Sequence, residues 1–400
     1  MLTALRVRDF RLLWAARTVS VLGTWLLVVA VPAHVFHLTG SWSAAGAALA
    51  AEFLPPLLLG PVAGVLVDRW DRRRAMVAAE VLRAAAVTLL LFAREPGDLW
   101  LLYVAVVVES TGTVVFRPAA QAHTPVVVGT GAALSGANAL NSTTDGLARL
   151  VGAPLGGALT ALVGFPVLVV ADAASYLVSA GLIALLSRGG RDGAGGGERP
   201  GVGGGLREGL AFVRSGRTAR VLLVVSTAFL TANASLSALL VPFGMTALGG
   251  EGPVGLVMSA LGVGFLLGAP ATRVLVDRLP PGPLLAGALA TTSIGFVLLF
   301  NAASLTAALP AAALIGLSGS AALVVTQTAL QRVTPTGVLG RVGALLVTGE
   351  AAATVVGALA GPALAELTSP RTTAYAACAL TVAAAVYAVS TPSVHQPFAP

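Results

Sequence analysis

Apolar side chains run almost unbroken for stretches of about 17 to 25 residues, repeatedly along this chain, and each stretch ends at charged residues, glycine or proline. That is the length an α-helix needs to cross a hydrocarbon layer about 30 Å thick. A soluble domain keeps roughly a quarter of its residues charged. Here 10% are charged and 56% hydrophobic, with a mean hydropathy of +0.89. Such a sequence cannot clothe a water-facing surface, so lipid is the solvent that decides the fold.

The runs predict helices over 11–36, 43–67, 75–94, 98–118, 136–162 and 166–187, then over 219–245, 253–276, 282–300, 303–328, 340–366 and 371–390. Twelve crossings are an even number, so both termini lie on one side. The arginines say which, because positively charged loops stay in the cytoplasm. Arg6, Arg8 and Arg11 precede the first run, Arg69, Arg72, Arg73 and Arg74 follow the second, and Arg117 follows the fourth. Arg188, Arg191, Arg199, Arg207, Arg214, Arg217 and Arg220 crowd between the sixth and seventh, and Arg273, Arg278, Arg332 and Arg341 mark later connections of the same parity. Opposite connections hold Arg94 and Arg371. A missed or invented span would scramble this parity. The expectation is a multi-pass protein of the plasma (inner) membrane with both termini cytoplasmic. The basic start leads into a hydrophobic stretch too long for a secretory signal and reads as the cytoplasmic end of helix one.

The chemistry on offer is narrow. All 24 basic residues are arginine, and four histidines and one cysteine, Cys378, complete the set. A Walker-type phosphate loop and a Schiff base need lysine, and disulfides or cysteine–zinc sites need more than one thiol. His34 and His37 lack the carboxylate or thiol company of a metal site and read as interfacial. No cofactor and no metal are expected. A formal charge of +7 and a pI near 10.8 would suit a nucleic-acid binder. The basic residues, however, sit at helix ends and not on a soluble basic face, so no nucleic acid is expected as a partner.

The pentapeptide Val65-Leu66-Val67-Asp68-Arg69 recurs as Val274-Leu275-Val276-Asp277-Arg278, an offset of 209 residues (274 minus 65). Gln121, Thr124 and Pro125 recur as Gln331, Thr334 and Pro335, an offset of 210 (331 minus 121). Two matches at nearly equal spacing point to duplication of a six-helix unit. Six crossings return the chain to its starting side, so the halves run parallel, an arrangement in which transporters bind substrate near the midplane between halves. The expected division is a first bundle over 1–188, a cytoplasmic linker over 189–218 and a second bundle over 219–400 with a short disordered tail. Glycine runs and charges make the linker flexible, and Leu206, Leu210 and Val213 space a short amphipathic helix at its end.

The segment Gly64-Val65-Leu66-Val67-Asp68-Arg69-Trp70-Asp71-Arg72-Arg73 resembles the G-x-x-x-D-R-x-x-R-R signature of the helix two to three loop in the major facilitator superfamily. Residues 15–32, 135–157 with Asn138-Ala139-Leu140-Asn141, and 326–341 with Leu339-Gly340-Arg341 are similar to a bacterial subfamily of enterobactin exporters and macrolide efflux proteins. The resemblance implies an all-α fold of twelve transmembrane helices in two parallel six-helix bundles. It also implies a cytoplasmic gate built from Gly64, Asp68, Arg69, Arg72 and Arg73 and from Asp277 and Arg278 of the second copy. The competing reading makes the arginines a positive-inside flank; Asp68 escapes it, since an acidic residue adds nothing to that rule. The family often has glycine where Asp71 stands, which puts the geometry of that turn in question. Gly152, Pro154, Gly156 and Gly157 are similar to the helix-five glycine–proline motif of the antiporter branch, against which stands plain small-residue packing with a proline kink.

An ionisable side chain inside a membrane should face a partner or a wet cavity. Glu109 and Arg149 fall about midway along the fourth and fifth runs and could pair, and Asp145, one turn before Arg149, is its alternative partner. Arg17 reads as snorkelling to the interface, Glu80 and Arg83 as a structural pair three residues apart, and Asp172 as shallow on the external side. Glu350 lies near the middle of the eleventh run with no arginine within two turns, which makes it the candidate for taking up and releasing a proton. Asn138, Asn141, Asn233 and Gln327 offer hydrogen bonds to a substrate or, more simply, to neighbouring helices.

These observations converge on secondary active export of a small amphipathic or hydrophobic compound (drug, macrolide or siderophore-like) in exchange for protons. The expected partners are the small molecule, protons and the bilayer, with the chain acting as a monomer by alternating access. Solute uptake on the same fold is the alternative. A membrane-bound enzyme or receptor would need a catalytic cluster or a soluble domain, and neither is visible.

Overall fold

The computed structural model describes residues 4–129, 132–187, 210–276, 278–335 and 338–391. Twelve long helices dominate: α1 (Arg8–Thr39), α2 (Trp42–Arg69), α3 (Arg72–Thr88), α4 (Leu99–Val128), α5 (Ala132–Val163), α6 (Phe165–Ala184), α7 (Arg217–Ala247), α8 (Glu251–Val276), α9 (Pro281–Phe300), α10 (Leu305–Val333), α11 (Leu339–Leu367) and α12 (Pro370–Val389). Eleven are single helices long and apolar enough to cross a membrane, and α5 makes the twelfth span as a pair of segments bent by 41° between Ala133–Gly152 and Leu155–Val163. Pro154 falls in that break and cannot donate its N–H to the helix ladder, the physical cause of a bend there.

Polar punctuation sets the ends. Asp71 caps α3 by accepting a hydrogen bond from the Arg74 amide at 2.9 Å, with its own φ at −64°. The turn therefore uses aspartate as an N-cap and has no need of the positive φ that glycine would supply. Gly164, at φ +85°, does need that freedom where α5 turns into α6. Two helices differ from the expected spans. The third gives way at Thr88 to a 3-10 turn over Leu89–Phe92. The fourth runs past residue 118, through Pro118 and Pro125, to Val128; in membrane helices neighbouring groups re-satisfy the carbonyls that proline frees.

The chain forms two compact units, Met1–Thr39 with Leu54–Arg199, and Gly40–Phe53 with Pro200–Pro400. Residues 40–53, which a division at the linker would leave in the first half, group with the second. There Glu366 of α11 accepts hydrogen bonds from Ser41 Oγ at 2.7 Å, the Ser43 amide at 2.9 Å and Ser43 Oγ at 2.7 Å.

The duplication is visible in the helix pairing. In the first unit α1 packs on α5 and α6, and α3 on α4 and α6. In the second, α7 packs on α11 and α12, and α9 on α10 and α12, the same pattern shifted by six helices. Small residues allow the close approach. A methyl group at Gly156 of α5 would lie 2.2 Å from the Leu26 carbonyl oxygen of α1, and one at Gly357 of α11 would lie 2.2 Å from the Thr231 carbonyl oxygen of α7. The repeated segments also match locally. The hydroxyls of Thr124 and Thr334 are both buried and each bonds the carbonyl four residues earlier, at 2.8 and 2.6 Å.

Of the amphipathic helix expected at the linker's end, residues 210–215 are described and helical, with Leu210 exposed and Val213 packed into the core of the second unit beside Ala219 and Leu222. It docks on protein through Val213. The rest of the linker lies outside the described residues.

Candidate functional site

A buried polar cluster lies in the interior of the first unit. Gly112 of α4 and Gly23 of α1 leave room for it: a methyl group at Gly112 would lie 2.4 Å from Arg83 Cγ, and one at Gly23 would lie 2.2 Å from Asp172 Oδ1. Into this space α3 sends Glu80 and Arg83, α4 sends Glu109, and α6 sends Asp172 and Tyr176. Glu80, Arg83, Asp172 and Tyr176 have at most 4% of their surface exposed.

Arg83 organises the cluster. Its Nε donates to Glu109 Oε1 at 2.9 Å, its Nη1 to Glu80 Oε1 at 2.8 Å and Ser20 Oγ at 3.0 Å, and its Nη2 to Thr24 Oγ1 at 3.1 Å and Tyr176 Oη at 3.0 Å. The Arg83 Nη2 to Glu109 Oε1 distance is 2.8 Å, and the guanidinium carbon stands 4.1 Å from the centre of the Tyr176 ring. Tyr176 also donates to Glu109 Oε1 at 3.0 Å, and Ser20 donates to Glu80 Oε1 at 3.2 Å. A planar guanidinium with five donors suits such a hub, as an ammonium would not. Four helices are tied together by one buried cation, and breaking a buried pair of this kind strands charge in low dielectric.

A second ion pair lies within the same unit. Arg17 of α1 donates to Asp145 of α5, and the neighbouring Trp14 Nε1 donates to Thr144 Oγ1 at 3.0 Å.

Several sequence expectations are corrected here. Glu109 pairs with Arg83 on α3, because α3 and α4 pack side by side; the side chain of Arg149, its expected partner, lies outside the described residues. Asp145 is engaged by Arg17, so Arg17, expected to snorkel, has a partner inside its own unit. Asp172, expected toward the external end of its helix, is 1% exposed, because α1 lies over it through Gly23. Glu80 and Arg83 do pair, as expected, at 2.8 Å. The sequence reading missed Tyr176, Ser20 and Thr24. One signal was available, since Asp172 and Tyr176 stand four residues apart on an otherwise apolar α6.

At the α2–α3 turn, Arg72 Nη1 donates to the Ala122 carbonyl of α4 at 3.3 Å, and Arg73 donates to the Ala184 carbonyl at the end of α6. Arg73 thus caps the carbonyl at the end of α6, while Arg72 reaches a carbonyl within α4. The side chains of Asp68 and Arg69, and Gly64, fall in the part of α2 whose side chains are outside the described residues, as is Asp277; Arg278 is exposed. On helix five Gly152 presses on Trp25 and Gly156 on Leu26, Gly157 is buried, and the Pro154 side chain is outside the described residues. Glu350 is half-buried on α11, Asn141 and Asn233 are half-buried, and Asn138 and Gln327 are exposed. His34 stacks on Phe165 with ring centres 4.1 Å apart and bonds the Ala93 carbonyl at 2.9 Å, which fixes it as a packing residue.

The sequence profile of the transmembrane secretion effector family matches residues 1–396. Among curated proteins, the chain is 34% identical over 122 residues to macrolide efflux protein A of Streptococcus pyogenes, covering 30% of each chain. It is 32% identical over 177 residues to the MFS-type transporter YfiS of Bacillus subtilis, covering 44% of this chain and 42% of that one. These alignments span less than half the length of either relative. Among solved structures it superposes with a TM-score of 0.77 on a bacterial homolog of the human lysosomal transporter Spinster, at 15% identity over 98% of each chain. The nucleoside transporter NupG gives 0.78 at 10% identity, over 96% of this chain and 99% of that one. At such identities the likeness is one of fold, and that fold and the family are those of transporters, not of enzymes. With the duplicated bundles, the arginine-capped turn and the family profile along nearly its whole length, the chain belongs to the transmembrane secretion effector family of major facilitator transporters, multi-pass proteins of the bacterial cell membrane.

Proposed function

We propose that this transporter exports a small amphipathic or hydrophobic compound, of macrolide-like character, in exchange for protons. The observation that carries the reading is the ionisable cluster inside the first unit, where Glu80 and Glu109 bind the guanidinium of Arg83 and a third carboxyl group, Asp172, lies buried on α6. Buried ionisable groups in membrane segments are expensive and are kept where protons or charged substrates move. The relatives named for macrolide efflux support the substrate class and the outward direction. The lysine-free sequence has no Walker-type phosphate loop, in keeping with gradient energy.

In this reading both termini face the cytoplasm, a monomer works by alternating access, and the Asp68–Arg73 and Asp277–Arg278 segments gate the cytoplasmic side. Glu350 exchanges a proton in the second unit. Arg17 with Asp145, Glu109, Asn141 and Gln327 belong to the polar lining that handles protons and substrate.

The test uses everted vesicles from a pump-deficient bacterium expressing the chain, acidified inside and loaded with a pH-quenched dye. Addition of erythromycin should relieve the quenching as protons leave and the drug accumulates. Accumulation that needs the opposite gradient would make the protein an uptake symporter. Glu350→Gln should abolish accumulation against a gradient, and undiminished accumulation would remove Glu350 from the cycle.

A further inference from the structure

We propose that Asp172 is a proton-binding site of the first unit and that, in the arrangement described above, its carboxyl group carries the proton. The argument begins with what surrounds it. Asp172 is 1% exposed, Oδ1 accepts a hydrogen bond from Ser175 Oγ at 3.2 Å, and Oδ2 has no hydrogen-bond partner among the described residues. From α1 it faces Gly23, which does not titrate, while Arg17 farther along α1 is committed to Asp145 of α5. From α3 come Glu80 and Arg83, from α4 Glu109, and from α6 itself Tyr176. Arg149, the other charged group of α5, lies outside the described side chains.

Arg83 is the cation of this set, and all three of its nitrogens are occupied: Nε by Glu109, Nη1 by Glu80 and Ser20, and Nη2 by Thr24 and Tyr176. Three ionised carboxylates against one guanidinium would leave two uncompensated negative charges, and of the three Glu80 and Asp172 are closed to water. An isolated carboxylate cannot be kept in such a medium and is neutralised instead. Glu80 and Glu109 are bonded to Arg83 directly, whereas the Asp172 carboxyl group makes no ion pair with it. A proton on Oδ2 removes the charge and gives the bare oxygen the hydrogen it lacks. Release breaks the Oδ2–H bond, leaves the electron pair on oxygen and passes the proton to water once the helices part, and reloading takes it from hydronium on the other side.

The link to transport rests on the proton-driven reading; the protonation does not, so two measurements separate their failures. The full chain in liposomes at neutral pH is read by infrared spectroscopy for the carbonyl stretch of a protonated carboxylic acid. Carbon-13 labelling of aspartate side chains should shift that band, Asp172→Asn should remove it, and Asp172→Glu should keep a band that the label no longer moves. A band indifferent to the aspartate label in the wild type, or retained in D172N, overturns the assignment. In everted vesicles at about 100 mV, D172N should accumulate erythromycin about fifty-fold less, the loss of one charge coupled to the potential. If the labelled band is Asp172's but the wild type moves no protons with erythromycin, the export reading falls and the proton site stands.

Discussion

In the first unit Arg83 of α3 reaches Glu109 of α4, 26 residues later, at 2.9 Å; in the second unit Thr292 of α9 reaches Ser318 of α10, again 26 residues later, at 2.8 Å. Both positions are displaced by 209 (292 minus 83, 318 minus 109), the offset of the repeated Val-Leu-Val-Asp-Arg segment. Position 80, a buried glutamate, becomes Leu289, buried and apolar, at the same offset. One slot in the duplicated scaffold therefore holds an ion cluster in one copy and a hydroxyl pair against leucine in the other. A neutral pair is enough to join these helices, so stability does not require the charges. Buried ion pairs seldom outdo an apolar replacement, so stability alone does not account for the cluster in the first unit.

The comparison can be broken most forcefully at its cation. Arg83→Met should destabilise the protein by about 3 to 5 kcal/mol, because it strands buried carboxylates. Thermal unfolding in detergent measures this, and a variant as stable as the wild type would show that Arg83 is not the hub. Transplanting the second unit's solution into the first, Glu80→Leu with Arg83→Thr and Glu109→Ser, should recover most of that loss while proton-linked transport stays absent. In the second unit the equivalent weak point is packing. A methyl at Gly316 of α10 would lie 1.9 Å from the Leu261 carbonyl oxygen of α8, so Gly316→Leu should cost about 1 to 3 kcal/mol. Equal melting temperatures for this variant and the wild type would mean the second unit is not held by close helix approach. The smallest effect is expected at Glu366, exposed and bound to Ser41 and Ser43. Glu366→Gln should cost below about 1 kcal/mol, seen as faster amide exchange at residue 43 with the melting temperature nearly unchanged.

Much of the fold was legible because membrane solvation is blunt. Runs of apolar residues long enough to span a bilayer, arginines on alternate connections and a pentapeptide repeated at 209 residues left little freedom in helix number. Asp71 was harder, since a residue that departs from the resembled pattern gains its meaning as an N-cap only when the Arg74 amide is seen beneath it. The site was half legible. Glu80 with Arg83 followed from helical spacing, but Glu109 with Arg83 and Arg17 with Asp145 cross between helices, where depth suggests Arg149 for Glu109 and helical spacing offers Asp145 as the alternative partner of Arg149. Position along α6 gave no sign that Asp172 is buried, because that depends on α1, whose Gly23 lies against it.

The amino-acid order by itself determined the solvent, the helices, their number and their duplication, since each depends on local composition and on the bilayer's thickness. Which charges meet depended on rotation of each helix about its axis and on which helices pack side by side. Those are set by glycines such as Gly23, Gly112 and Gly156 pressing on particular neighbours, a matter of three-dimensional contact. A one-dimensional pattern fixes how deep a residue sits; only packing decides what it faces.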